Sequence, residues 1–223
     1  MSTIPSTSKR LESKTPSGEG KKIPKAVIKR LSLYSRVLQN LEIKKQEKVS
    51  SQYIAEQLGL TSAQVRKDLG YFGQFGVPGI GYYVTDLRNQ IKKILGTHRE
   101  VRVGLVGAGH LGQALLNYAG FSRQGFNLVA AFDEDRRKLG RQVGQAEIFA
   151  MDDLEKIIKK KNIELVILTI PASVAQPIVD RLVACGIKAI LNFVPRRLIV
   201  PPDVKVHYVD LTIEIESLSY YLK

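Results

Sequence analysis

The sequence predicts an α/β protein in two parts, a small helical N-terminal domain followed by a doubly wound parallel sheet. Three observations carry that prediction. Apolar residues at helical spacing, punctuated by cap and turn residues, dominate as far as Gly96, and short β-branched runs alternating with helical segments take over from Val101. The charge divides at the same place, with 18 Lys and Arg against 7 Asp and Glu in residues 1–99 and 16 against 14 in residues 100–223.

In chain order, residues 1–22 are rich in Ser, Thr, Pro, Gly and Lys without apolar period, and are expected to be a disordered basic tail. Pro24 suits a first helical position, and Val27, Leu31, Tyr34, Leu38 and Leu41 then recur at helical spacing up to the polar run 44–48. Two short helices follow, residues 51–58 closed by Gly59 and residues 61–69. Between Gly70 and Gly81 five glycines interleave with Tyr71, Phe72, Phe75 and Pro78, the signature of a glycine-rich loop or hairpin. A helix over 85–95 stops at Gly96. Strands are expected over 101–106, 127–132, 148–150, 165–170, 189–192 and 205–209, with helices between them. The last segment carries Leu211, Ile215, Leu218 and Leu222 on one apolar face, which needs a partner to cover it. The expected division is 1–22 tail, 23–97 winged helix-turn-helix, 98–210 Rossmann-like nucleotide domain and 211–223 terminal helix.

With 223 residues and 44% hydrophobic composition the chain is that of an ordinary globular protein. It has no apolar run long enough to span a membrane and no secretory h-region, so a cytoplasmic protein is expected. One cysteine, Cys185, on an apolar helix stretch, excludes an internal disulfide and a thiolate metal cluster, and reads as a buried inert thiol. No metal is expected.

A helix-turn-helix reader of DNA needs a small residue at the helix crossing, a glycine in the turn and an apolar anchor on the second helix, and Ala55, Gly59 and Val65 supply them. Thr61 with Gln64 reads as a capping box starting that helix. Its exposed positions are expected to be Ser62, Gln64, Arg66 and Lys67, where Gln pairs with adenine, Arg with guanine and Lys with phosphate. The following loop, with Tyr71 and Gly79, would be a wing whose glycines let the backbone lie against the sugar-phosphate chain. Together with the basic half-chain, this points to double-stranded DNA as a partner.

The run Val101–Val106 leads into Gly107-Ala108-Gly109-His110-Leu111-Gly112, a G-x-G-x-x-G motif after a strand and at a helix start. Gly107 makes the turn, Gly109 admits a pyrophosphate and Gly112 lets the helix pack on the strand. Asp133 ends the second strand, where an acid accepts from the adenosine ribose, which favours NAD over NADP. Arg136, Arg137 and Lys138 follow closely, and Lys138 joins the candidate cofactor residues, although the acid should dominate. His98, His110 and His207 are poorly placed for proton transfer, and too little chain remains for a substrate domain. Ligand binding without turnover is therefore favoured, and the chain is not expected to be an enzyme.

Gln64-Val-Arg-Lys-Asp-Leu69, Tyr71-Phe-Gly73, Gly79-Ile-Gly-Tyr82, the glycine motif, Phe132-Asp133, Thr169-Ile-Pro171 and Asn192-Phe193 together resemble the Rex family of redox-sensing transcriptional repressors, from Ile23 to Leu222. The resemblance implies a homodimer on palindromic operator DNA, released when NADH displaces its competitor NAD⁺. It implies cofactor contacts from Gly107 to Gly112, Asp133, Thr169, Ile170 and Pro171, with Asn192 and Phe193 near the nicotinamide. It also implies a terminal helix exchanged between subunits, and a switch in which Asp210 pairs with Arg36 in the DNA-binding state and with Tyr118 once NADH binds. His110 stands where the family often has arginine, and Leu211 where it has an aromatic. Two other readings stay open, an NAD-dependent oxidoreductase with a basic N-terminal assembly module and a scaffold for acidic proteins.

Overall fold

The computed structural model describes residues 23–222, and the expected tail 1–22 lies outside the described residues. By its internal contacts the chain forms two compact units, one ending at Arg88 and the other beginning at Asn89. The division falls inside a helix, earlier than the change of texture near residue 97.

The first unit opens with α1 (Lys25–Ile43), whose five predicted apolar residues Val27, Leu31, Tyr34, Leu38 and Leu41 are all buried. Pro24 is the N-cap of this helix, with extended ψ, and not its first helical residue. β1 (Lys48–Val49) begins at the last residue of the polar run 44–48. α2 (Ser51–Leu58) closes on Gly59 with φ +64, as expected of a left-handed C-cap. α3 (Ser62–Gly70) starts at Thr61, whose hydroxyl accepts from Gln64 N at 3.2 Å. The capping box is only half made, because the Gln64 amide turns to Asp68. The glycine-rich stretch contains no strand pair: Gly70 belongs to α3, a single bridge joins Val77 to Gly81, and β2 (Tyr82–Tyr83) pairs antiparallel with β1. The wing therefore rests on this two-stranded ladder, where a Cβ on Gly81 would collide with the Val49 carbonyl. α4 (Val84–Ile94) follows.

One buried carboxylate ties this unit together. Asp68 is fully buried and accepts from Arg30 Nε (2.5 Å), Arg30 Nη2 (2.9 Å), Tyr34 Oη (2.7 Å) and Gln64 Nε2 (2.6 Å). Burial alone would push its carboxyl up. The hydrogen bonds from Arg30, Tyr34 and Gln64 and the charge of Arg30 outweigh that and hold it below the usual carboxylate range. Burial, and then Asp68, push the Tyr34 phenol up.

The second unit is a seven-stranded sheet. β3 (Val101–Val106), α5 (His110–Leu116), β4 (Phe126–Asp133), β5 (Gln142–Val143), β6 (Ala146–Ala150), α6 (Leu154–Lys160), β7 (Leu165–Leu168), α7 (Ala175–Ala184), β8 (Ala189–Asn192) and β9 (Lys205–Tyr208) follow in chain order. They lie β5-β6-β4-β3-β7-β8-β9, parallel except for β5, a two-residue edge strand that the sequence reading missed. Without that edge, counted along this unit, the order is 3-2-1-4-5-6, the doubly wound arrangement of dinucleotide-binding domains. Each face is covered. Val106, Phe132, Val166, Leu168 and Ile190 join one core cluster, and Val103, Leu105, Leu128, Ala131 and Ile167 the other. β3 and β4 pair Val103 with Leu128 but Gly104 with Ala130, so Val129 is an extra residue in a bulge. β7 ends at Leu168, two residues before the expected end, because Thr169 turns toward the glycine loop. Cys185 caps α7 half-buried, not buried, and burial followed by the charge of Glu155 pushes its thiol up. α8 (Leu211–Ser219) is followed by a 3-10 turn, Tyr220–Leu222, so Leu222 of the expected apolar face lies beyond the helix.

Replacing Asp68 with Ala strands the Tyr34 hydroxyl in the core, and is expected to cost about 3 kcal/mol in urea unfolding. Because its folded pKa lies below the unfolded value of about 3.9, the Asp68 contribution is complete above that pH and is lost as pH falls through the folded value. The wild-type minus Asp68→Ala stability difference should therefore shrink only below about pH 4.

Candidate functional sites for a dinucleotide and for DNA

The ends of three adjacent strands converge on Gly107 and Ala108. Gly107 N donates to the Phe132 carbonyl (2.8 Å), Ala108 N donates to Asp133 Oδ2 (2.8 Å), and Thr169 Oγ1 donates to the Gly107 carbonyl (2.7 Å). The loop after β3 is thus gripped from the tip of β4 on one side and of β7 on the other. Gly107 has φ +97, and a Cβ there would run into the Thr169 carbonyl and the Ile170 side chain. A Cβ on Gly112 would strike the Gly107 carbonyl, so this glycine lets α5 pack back on the loop. Nothing of the protein lies within 4 Å of a Cβ on Gly109, which leaves its outer side open for a ligand to approach the backbone. Ala108 is buried, whereas His110 and Leu111 are exposed at the start of α5.

Asp133 is the acid expected at the tip of β4, and its acceptor capacity is largely used. Oδ2 takes the Ala108 amide and Lys138 Nζ (3.0 Å), and Oδ1 takes the Asp135 amide (2.8 Å). Of about four lone-pair sites on a carboxylate, one is left for a ribose hydroxyl, and a second opens if Lys138 swings away. Lys138 is therefore a partner of the acid, as well as a cation beside the ribose position.

Beyond β7, Thr169 and Ile170 flank the glycine loop and Pro171 begins a 3-10 turn, Ala172–Val174. Asn192, which the resemblance puts near the nicotinamide, ends β8 with its side chain turned to its own loop. It is fully buried, donating to the Val194 (3.0 Å) and Arg196 (3.3 Å) carbonyls and accepting from Val194 N (3.0 Å), so its amide shapes the loop after β8. Phe193 packs half-buried against the second core cluster. Arg196, which nothing in the sequence singled out, ties this loop to the Ala172 carbonyl (3.0 Å).

Tyr118 lies just past the end of α5, not on it, with its ring 61% exposed and edge-on to Phe121. Asp210 is the N-cap of α8 and accepts from Thr212 N at 2.9 Å. Arg36 is exposed on α1.

On α3, Val65, Asp68 and Leu69 face the core, so the most exposed stripe is Ala63, Arg66, Lys67 and Gly70. Ser62 and Gln64 flank it half-buried, against the sequence expectation that both point outward, because their angular positions border the buried stripe. Arg66 Nη1 donates to Ser51 Oγ (3.0 Å) at the start of α2. Beside them, an open groove of about 570 Å³ runs between α2, α3 and the wing. Tyr71 is the half-buried C-cap of α3, and Gly79 is exposed with φ +77. A hydroxyl, a guanidinium and the free amides at the start of α2 make this edge an acceptor of anions.

Residues 22–70 match a family described as a putative DNA-binding protein N-terminus, and residues 98–196 one described as a CoA binding domain. The redox-sensing transcriptional repressor Rex of Carboxydothermus hydrogenoformans is 47% identical over 92% of this chain and 99% of its own length. That of Syntrophomonas wolfei is 47% identical over 90% and 96%. Among solved structures, the repressor RSP in complex with β-NAD⁺ and operator DNA has a TM-score of 0.84 at 41% identity, covering 90% of this chain and 92% of its own. RSP in complex with β-NADH has a TM-score of 0.80 at 39% identity, covering 90% and 94%.

Replacing Asp133 with Ala should weaken NADH about tenfold or more, the worth of one charge-assisted hydrogen bond. The same change releases Lys138 and removes repulsion of a 2′-phosphate, so NADPH should gain affinity. Fluorescence titrations with both nucleotides check the pair of shifts, and a parallel loss of both would refute the role of the acid in discrimination.

Proposed function

The chain belongs to the Rex family of redox-sensing transcriptional repressors, and from that premise we propose how its parts divide the work. It binds operator DNA through the first unit and NAD(H) through the second, and so reports the NADH/NAD⁺ ratio. The observation that carries this reading is the junction of a helix-turn-helix and wing with a Rossmann-like sheet whose glycine loop and Asp133 fit a dinucleotide. It acts as a regulator without turnover, in the cytoplasm.

The working form is a homodimer on a palindromic site, as two-fold DNA readers require. The character of α8 supports the dimer. Leu211, Ile215 and Leu218, at helical spacing on one face, and Ile213 on the other side are each more than half exposed, apolar residues uncovered within their own chain, and the partner's sheet and DNA-binding unit are their intended cover. Arg36, Tyr118 and Asp210 form the switch. The exposed Tyr118 hydroxyl competes with the Arg36 guanidinium for the Asp210 carboxylate, and NADH biases the population toward the tyrosine. The division 23–97, 98–210 and 211–223 follows these jobs.

At fixed salt, NADH should release a labelled operator fragment in an anisotropy titration, and NAD⁺ should not. Tyr118→Phe and Asp210→Ala should retain both ligands while losing the release. An operator complex indifferent to NADH would overturn the redox reading. A chain truncated after Asp210 should sediment as a monomer, and a truncated dimer would remove α8 from the interface.

A further inference from the structure

The side chain on α3 with the best adenine-reading chemistry is not offered to the groove. Gln64 extends along the helix to Asp68, and its Nε2 lies 2.6 Å from a carboxylate that is itself fully buried. A carboxylate only accepts, so it takes one of the two Gln64 N–H donors and holds the amide along the helix toward Asp68, whereas a bidentate adenine contact needs the amide extended outward with both its oxygen and an N–H presented. Withdrawing that group would leave Asp68 with Arg30 and Tyr34 as its remaining donors, at the expense of a charge-assisted hydrogen bond. Arg66, the nominal guanine reader, is likewise directed toward Ser51 Oγ. On the exposed stripe this leaves Ala63, in the first turn of α3, and Lys67 one turn later, an (i, i+4) pair on the same face. Lys67 has no hydrogen bond or ion pair among the described residues.

We infer that Ala63 and Lys67 are the base-reading pair of α3, and that Gln64 serves as a positioning residue that holds the helix through Asp68. The Ala63 methyl group is suited to the C5-methyl of a thymine, and the Lys67 ammonium to the O6 and N7 acceptors of a guanine within one helical turn of it. Arg66 serves the phosphate side of the groove at the start of α2. The inference rests on the reading that α3 enters the major groove, and the test separates the two.

The experiment is an atom-deletion scan of the operator duplex at fixed salt with the full-length protein. Thymines are replaced one at a time by deoxyuridine, guanines by 7-deazaguanine and adenines by 7-deazaadenine, in both half-sites. Wild-type protein should lose about fourfold per half-site at one thymine, the worth of one buried methyl group, and Ala63→Ser should no longer sense that change. It should lose about tenfold at one guanine, a response absent in Lys67→Met. Gln64→Met should keep both responses and the whole adenine profile while its thermal midpoint falls. An adenine dependence that disappears in Gln64→Met would overturn the assignment. Should that variant fail to fold, the wild-type adenine scan decides, since a flat profile supports the inference and a response at an adenine beside the sensed guanine refutes it. If no α3 variant alters the pattern while operator binding persists, α3 is not the reading element and the inference falls with that premise.

Discussion

The peptide between Gly107 and Ala108 is the point on which the nucleotide-binding unit is assembled. Its N–H and carbonyl are held by Asp133 at the end of β4 and by Thr169 at the end of β7, and the Gly107 N–H just before it by the Phe132 carbonyl. A side chain at residue 107 would force these strand ends apart, so a missing atom is the condition for the whole arrangement. The start of α5, the direction of Asp133 and the early end of β7 follow from this grip. Asp133 divides its two oxygens in this grip, Oδ2 holding the Ala108 amide and Oδ1 the Asp135 amide.

The first unit solves a related problem with a buried charge. A helix that reads DNA must keep its roll about its own axis, yet α3 is only nine residues long and offers few apolar anchors. Asp68 supplies the missing constraint by joining α3 to Arg30 and Tyr34 on α1. Such a network is directional in a way that packing of Val65 and Leu69 is not. The roll of α3 is thus set by a residue buried beneath its exposed stripe.

Signals confined to a few neighbouring residues were legible in the sequence. The left-handed Gly59, the Thr61 cap, the five-residue apolar stripe of α1 and the glycine motif followed by Asp133 all stand where their spacing placed them. What escaped were contacts between distant positions. Asp68 meets Arg30 across 38 residues, so Gln64 was read by its own chemistry and not by the partner that claims it. The engagement of the Asn192 amide with Val194 and Arg196 likewise depends on the path of the loop after β8, which no local spacing announces. The two-residue β5 lies below what periodicity detects.

The bulge in β4 has a consequence for how this chain can change its length. After Val129 the alternation of side chains is offset by one, which is what sends Ala131 to one layer and Phe132 to the other and leaves Asp133 aimed at the Ala108 amide. Losing Val129 itself would close the bulge and keep this phase, whereas losing one residue between Ala130 and Asp133 would exchange small for large across the sheet and turn the carboxylate away from the loop. The segment 193–204, outside any strand, has no such phase to keep. A single deletion is thus tolerable in that loop and, within β4, at the bulge alone, and the residue count from Ala130 to Asp133 is as much a part of the site as its chemistry.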